Sequence, residues 1–410
     1  MKINRNNKSW VAMVLLICSV GAVAQDLNAY LKIAAENSAE IKSFELRYDI
    51  AKEEVNAAEA LPDTEFSAGY FVSTPETRVG PQQARFSVRQ MLPWFGTLAA
   101  RTNYQDAVAE AKYVDYLIAK RKLNLEVARH YYELYAISAK LKVVRQNLQL
   151  VDTYKTLALT SVEVDRASAV DVLKLEMRQN ELQSQLKILE ESKQSAEIQF
   201  NAILNVSDTE EVTVVDSLFL PEEDLSVSTA ALNDNPEVLK YDKLYESIAQ
   251  SELVNQRESG PKLGVGLDYL PVGLRTDMDL ADNGKDIVMP MVSVSVAIFN
   301  SKYKSVTRQN QLRQQEVISQ KTQRLNLLKS FFAEAVKNRN AARINYTTQQ
   351  QNLEYAREAE EILRKSYETG TIDFSDVLDI QELQLDFQMK LIEALQQYFE
   401  QSARINYLVN

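Results

Sequence analysis

Asp376-Val377-Leu378 repeats Asp171-Val172-Leu173 at a distance of 205 residues, and the same shift carries Asn205 onto the last residue, Asn410. Around both tripeptides the sequence predicts one layout: a helix, two strands flanking a loop, a very long helix, a turn and a shorter helix. A single copy of such a unit cannot bury its own apolar faces. The repeat therefore points to a wall or tube made of several copies, and away from a pocket enzyme.

The punctuation sets the element lengths. The chain has 410 residues but only 10 Gly and 9 Pro, with neither between Gly96 and Pro221 and only Gly370 after Pro290. Length alone would allow about two to three domains, yet no low-complexity linker separates any. Helices are predicted over 26–61, 97–163, 168–205, 235–259, 302–367 and 374–410. The second spans roughly 67 residues, or roughly 100 Å at ~1.5 Å per residue, and needs neighbours along its sides to be stable. Leu175, Leu182, Leu189, Ala196 and Ile203 fall seven apart, as do Leu378, Leu385, Ile392 and Phe399, and Ile380, Phe387 and Ala394. Seven-residue spacing marks a coiled-coil seam. The last helix carries two such seams on opposite sides, which suits a barrel wall with a neighbour on each side. A helix buried in a large bundle is the alternative.

The N-terminus carries Lys2, Arg5 and Lys8, an apolar run from Trp10 to Val20, and Ala22-Val23-Ala24. This pattern predicts a secretory signal over 1–24, removed before Gln25. Cys18 follows Ile17, where a lipoprotein site has a small residue, so ordinary cleavage is the reading. Cleavage removes the only Cys and three positive charges. It leaves 43 basic against 57 acidic residues, a net of −14 instead of −11. An acidic chain without a basic tract argues against nucleic acid as a partner.

Four runs alternate apolar residues with small or polar ones. They are Phe66, Ala68, Tyr70 and Val72; Phe86 and Val88; Leu263, Val265, Leu267 and Tyr269; and Val292, Val294, Val296 and Ile298. Each suits a strand with lipid on one face and water on the other, although a half-buried soluble sheet alternates too. Four strands cannot close a barrel, and open edges are not tolerated in lipid. Two chains give eight strands and a filled interior. Three give twelve and a conduit. Loops 74–82 and 273–286 cap the strand tips, with Asp282-Asn283-Gly284 as a turn signal. The corner Leu92-Pro93-Trp94-Phe95-Gly96 fits an interface girdle or a core cap equally.

The chain resembles the TolC family of outer-membrane efflux proteins. The resemblance covers the mature chain and rests on three features. These are the duplicated layout, the corner Gln90-Met91-Leu92-Pro93-Trp94-Phe95-Gly96, and Tyr367-Glu368-Thr369-Gly370 followed by Asp376-Val377-Leu378-Asp379. It implies a mainly α fold with a small β part: a long α-helical barrel continuous with a trimeric 12-stranded transmembrane β-barrel, four strands per chain, internally duplicated. The repeats would cover about 25–205 and 233–410, joined by an equatorial segment 206–232. The family also implies a homotrimer in the outer membrane, extending into the periplasm. Its partners would be a periplasmic adaptor (membrane fusion) protein and an inner-membrane pump, and its periplasmic tip would open by untwisting of a helix pair.

The resemblance also suggests gate residues at the tips, about 161–171 and 366–376. Asp376 and Asp379 match aspartates that ring the entrance, where three copies of two carboxylates would favour cations. Asp171 and Tyr367 match a hydrogen-bonded pair that helps hold the tip closed. Gly370 and Asp165 fall where the adaptor docks, and their difference implies unequal contacts at the two tips. Ile372 stands where the family often has an arginine. From the residues alone, Ser168 with Asp171 and Asp373 with Asp376 are also helix N-cap patterns, and Asp379 also fits a solvated surface.

His130 is the only histidine, beside Tyr131 and Tyr132, and reads as a packing or surface residue. There is no Cys/His cluster, phosphate loop or nucleophile constellation, so no catalytic residue, metal or cofactor is expected. The predicted function is a passive duct of a tripartite efflux pump or type I secretion system. The alternative is a structural periplasmic coiled-coil protein with a soluble β-sheet.

Overall fold

The computed structural model describes residues 26–163, 168–224, 228–369, 371–372 and 374–409. The predicted signal segment, Asp165 and Gly370 lie outside the described residues, as does Asp373. The helices are α1 (Leu27–Asn37), α2 (Ala39–Ala58), α3 (Thr97–Glu163), α4 (Ala169–Leu204), α5 (Pro236–Glu258), α6 (Lys302–Glu368) and α7 (Phe374–Val409). The strands are β1 (Thr64–Tyr70), β2 (Glu76–Thr77), β3 (Gly80–Pro81), β4 (Ala84–Leu92), β5 (Lys262–Leu270) and β6 (Ile287–Ser295). About 71% of the described residues are helical, twice the ~30–35% of ordinary globular proteins. No helix among the described residues is long and apolar enough to cross a membrane.

Helices α3 and α6 each have 67 residues, and α4 and α7 each have 36. Their first residues differ by the shift read from the sequence: Thr97 and Lys302, Ala169 and Phe374.

Two predictions are corrected. The helix expected over 26–61 is two helices, broken at Ser38. Ser38 takes extended backbone angles (φ −63°, ψ 117°), and its Oγ accepts from Ile41 N at 3.2 Å. A serine that caps the next helix competes with helix continuation. The strand expected over 292–298 runs instead from Ile287 to Ser295. Pro290 lies within it, and β6 is the edge strand of this chain's own sheet, where a missing N–H costs no ladder bond within the chain.

The chain divides into two compact units. One unit comprises Lys42–Ile118 and Asn233–Asn326. It holds an antiparallel sheet in the order β1-β4-β5-β6, with a small β2–β3 hairpin in the first loop. The register puts Phe66, Val88, Leu267 and Pro290 in one row, and Ala68, Phe86, Tyr269 and Val288 in the next. These rows, with the adjoining pair Val265 and Val292, form an apolar face that is largely uncovered: Phe66 is 75% exposed and Val292 78%. The opposite face carries rows of Glu65, Arg89, Gly266 and Met291, and of Ser67, Ser87, Asp268 and Met289. Arg85 forms an ion pair with Asp268 on that face. Beneath the sheet, Glu252 of α5 accepts from Thr307 (2.7 Å) and Asn310 (2.9 Å) of α6.

The other unit takes in the chain up to Ile41, Ala119–Leu232 and Leu327 onward. The three predicted seams are buried in part: Leu175, Leu182, Ala196, Leu385, Ile392 and Ala394 are buried, whereas Leu189, Ile203, Leu378, Ile380, Phe387 and Phe399 are half-buried. One core cluster joins Tyr30 and Ala34 of α1 to Tyr131 and Leu134 of α3 and Phe200 and Leu204 of α4. The segment after α4 is pinned by phenols. Tyr30 Oη donates to Thr213 O at 2.9 Å, and Tyr131 and Tyr135 accept from Val215 N (3.2 Å) and Leu218 N (3.0 Å). Farther along, Asp224 accepts from Arg343 Nη2 at 2.8 Å and from Tyr398 Oη, tying that segment to α6 and α7.

Candidate functional site

The described gate residues predicted from the sequence lie near helix ends: Asp171 in the first turn of α4, Tyr367 in the last turn of α6, and Asp376 and Asp379 in the first turns of α7. Ser168 is the N-cap of α4. Its Oγ accepts from Val170 N at 3.2 Å, and Asp171 Oδ2 accepts from Ser168 N at 3.3 Å, completing a capping box. Ser366 O closes α6 by accepting from Thr371 N (3.0 Å), Thr371 Oγ1 (2.8 Å) and Thr369 Oγ1 (2.9 Å). Those bonds satisfy one of the carbonyls that a helix end leaves open.

An apolar cluster sits beside these helix ends. It contains Val151, Tyr154 and Ala158 of α3, Leu175 and Leu182 of α4, and Phe374, Val377 and Leu385 of α7. Leu363 and Tyr367 of α6 pack on it. The Phe374 ring lies between Tyr154 (5.6 Å, edge-on) and Tyr367 (5.1 Å, tilted). No hydrogen bond joins Tyr367 to Asp171 among the described residues; Tyr367 packs on the apolar cluster.

Next to the cluster is a polar hub. Glu360 Oε1 of α6 accepts from Tyr154 Oη of α3 and from Gln381 Nε2 of α7, both at 3.1 Å. Its Oε2 accepts from Gln384 Nε2 at 2.7 Å, and Gln384 also donates to Ala356 O at 3.1 Å. One carboxylate thus holds three helices. Burial of Tyr154, together with the Glu360 charge, pushes its phenol up to about 12.

Asp376 lies in the first turn of α7, and both it and Asp379 are exposed. They are three residues apart and share one side of the helix. Neither has an ion-pair partner among the described residues. Asp379 lines a cleft of about 260 Å³ with Lys174, Arg178 and Glu181 of α4 and Glu382 of α7. Arg178 reaches Glu181 at 3.1 Å and Glu382 at 3.7 Å, bridging α4 to α7. Lys174 and Asp379 are related by the same shift as Asp171 and Asp376, so positions related by that shift supply a cation and an anion to one cleft. Among the described residues no cluster of His, Cys, Asp or Glu could hold a metal ion.

No protein-family profile matches the chain, and no curated protein matches it. Solved structures do. CusC, whose crystal structures concern folding and transmembrane channel formation, matches at a TM-score of 0.76 and 12% identity, over 95% of this chain and 92% of its own. VceC, an outer membrane protein of Vibrio cholerae, matches at 0.72 and 16%, over 93% and 95%. The open state of the Neisseria gonorrhoeae MtrE outer membrane channel matches at 0.75 and 14%, over 93% and 88%. The chain has the fold of an outer membrane channel.

Within this channel fold, sequence reasoning reached the tips but missed the hub. Gln381 was the available signal. It lies midway between Val377 and Leu385, four residues from each, and is 6% exposed. A glutamine on a buried stripe needs a partner, and Glu360 is that partner.

Proposed function

We propose that the chain is a TolC-family outer membrane channel: a passive exit duct, not an enzyme, serving a tripartite efflux pump or type I secretion system. The observation that carries this is the four-stranded sheet. It has an uncovered apolar face, a polar opposite face and two unpaired edges, β1 and β6. In water such a face would be an aggregation liability. In lipid the same face is stabilising, and the edges then demand neighbours. Three copies close twelve strands around a conduit, with the duplicated helices forming a tunnel into the periplasm. The sequence has no phosphate-loop motif to supply energy, so in this reading an adaptor and an inner-membrane pump complete the machine. In this reading Asp376 and Asp379 ring the entrance, Asp171 and Tyr367 belong to the closed tip, and Gly370 and Asp165 meet the adaptor.

Cell fractionation with heat-modifiable gel mobility tests the reading. The expected result is an outer-membrane protein that migrates as a trimer until heated. Recovery as a soluble periplasmic monomer would overturn it in favour of a coiled-coil protein with a soluble sheet.

A further inference from the structure

Neighbouring strands lie ~4.8 Å apart, whereas packed helices lie ~8–10 Å apart. Where β4 runs into α3 and α5 runs into β5, the spacing must widen within a few residues, and a gap opens. That gap is a cavity of about 250 Å³, a little below the ~300–1,000 Å³ of clefts that enclose a whole drug-sized ligand.

Its walls are chemically divided. Pro62, Leu92, Pro93 and Trp94 make it apolar, and the Trp94 ring lies over Gly260, where an added Cβ would sit 3.4 Å from the indole. Arg101, Arg257 and Lys262 make it basic. Arg101 is committed to Glu258, with Nε at 3.0 Å and Nη2 at 2.7 Å from the same carboxylate oxygen. Arg257 and Lys262 have no carboxylate partner among the described residues. With Glu258 counted, the cavity carries two net positive charges in a chain of net charge −11. Thr97, at the first turn of α3 and 2% exposed, also lines it, and its Oγ1 has no hydrogen-bond partner among the described residues. Leu92 belongs to the apolar sheet face, whereas Met91 and Lys262 alternate onto the polar one. The cavity is therefore lined from both faces of the wall.

We propose that this cavity binds the phosphate of a phospholipid headgroup. The proposal rests on the outer-membrane reading, which places the helix-bearing ends of the strands at the periplasmic leaflet. There the lipid phosphate meets Arg257 and Lys262, its glycerol meets Trp94 and Pro93, and its acyl chains run along the uncovered apolar strands. Guanidinium and ammonium groups are the usual partners of phosphate, and basic pockets at membrane level take anionic headgroups. A free anion would use the cations but not the apolar half of the cavity.

Native mass spectrometry of the delipidated full chain in detergent tests this, with bilayer conductance measured on the same preparation. Phosphatidylglycerol should be retained and diacylglycerol should not, a comparison made on the unaltered chain. The pair Arg257→Gln and Lys262→Gln should weaken retention by about tenfold or more, with the helical circular-dichroism signal unchanged. Equal retention of diacylglycerol, or undiminished retention in a folded double variant, would overturn the site. Displacement by inorganic phosphate at equal concentration would make it a free-anion site and overturn the lipid assignment. Conducting trimers that ignore phosphatidylglycerol leave the duct standing without the headgroup site. Non-conducting monomers overturn the duct, and this site with it.

Discussion

Tyr154 of α3 donates its phenol proton to Glu360 of α6 at 3.1 Å, across 206 residues of sequence. Because Gln381 and Gln384 of α7 share that carboxylate, motion of either neighbour of α6 must break a bond to a charged group. Such bonds contribute about 1.5–3 kcal/mol each. Tyr154→Phe and Glu360→Gln should therefore loosen the tip, seen as faster amide exchange in the last turns of α6 and the first turns of α7. Exchange rates equal to the parent chain would show that the hub carries no mechanical load.

The same phenol gives a pH signature. A tyrosine held at about 12 against an ordinary value near ~10 favours the folded tip while it stays protonated. That contribution is complete below about 10 and is lost as pH rises through about 12. Alkaline titration followed by phenolate absorbance should show one late-titrating tyrosine fewer in Tyr154→Phe.

Asp224 behaves in the opposite sense. Burial opposes its ionisation, but hydrogen bonds from Arg343 and Tyr398 and the charge of Arg339 outweigh burial and hold its carboxyl below the usual aspartate value. Its contribution is present above the ordinary aspartate range and disappears as pH falls through the lowered value. Asp224→Asn should lower the melting temperature at neutral pH and flatten the acid limb of the stability profile. An unchanged acid limb would remove Asp224 as the anchor of the segment before α5.

Asp376→Asn combined with Asp379→Asn should lower cation preference in single-channel recordings, because in the proposed duct the two exposed carboxylates would recur in every copy around one entrance. Unchanged reversal potentials would assign them to solvated surface. Ser168→Ala supplies the contrast. It removes a cap worth about 1 kcal/mol and should cost stability at the first turn without altering selectivity.

On the sheet, Leu267→Lys places a charge in the middle of the uncovered apolar face. A charge at mid-bilayer costs about 2–4 kcal/mol, so the variant should accumulate outside the membrane. Ser67→Lys, on the opposite face, should still assemble. Equal assembly of the two would mean that lipid does not cover the apolar face.

Most of this architecture is legible in the sequence because long helices and alternating strands are periodic. The bounds of α3 follow from the absence of Gly and Pro after Gly96, and the seam through Leu175 and Leu182 is buried as the seven-residue spacing predicts. The departures have local causes. Ser38 breaks a helix with a side-chain hydrogen bond that periodicity does not register, and Pro290 hides a strand that tolerates it only at an edge. Asp171 is recognisable as a cap, and the structure shows its carboxylate in that use. The hub was not legible, because Tyr154, Glu360 and Gln381 become a group only when three helices meet.

The matched lengths of α3 and α6 have a consequence for how such a chain can change. One residue inserted midway along α3 would turn everything beyond it by ~100° and advance it by ~1.5 Å, swinging Tyr154 away from Glu360. Growth or shrinkage is therefore a joint property of both long helices: alterations must arrive as paired sets, or be confined to the loops between β-strands, where no partner keeps count.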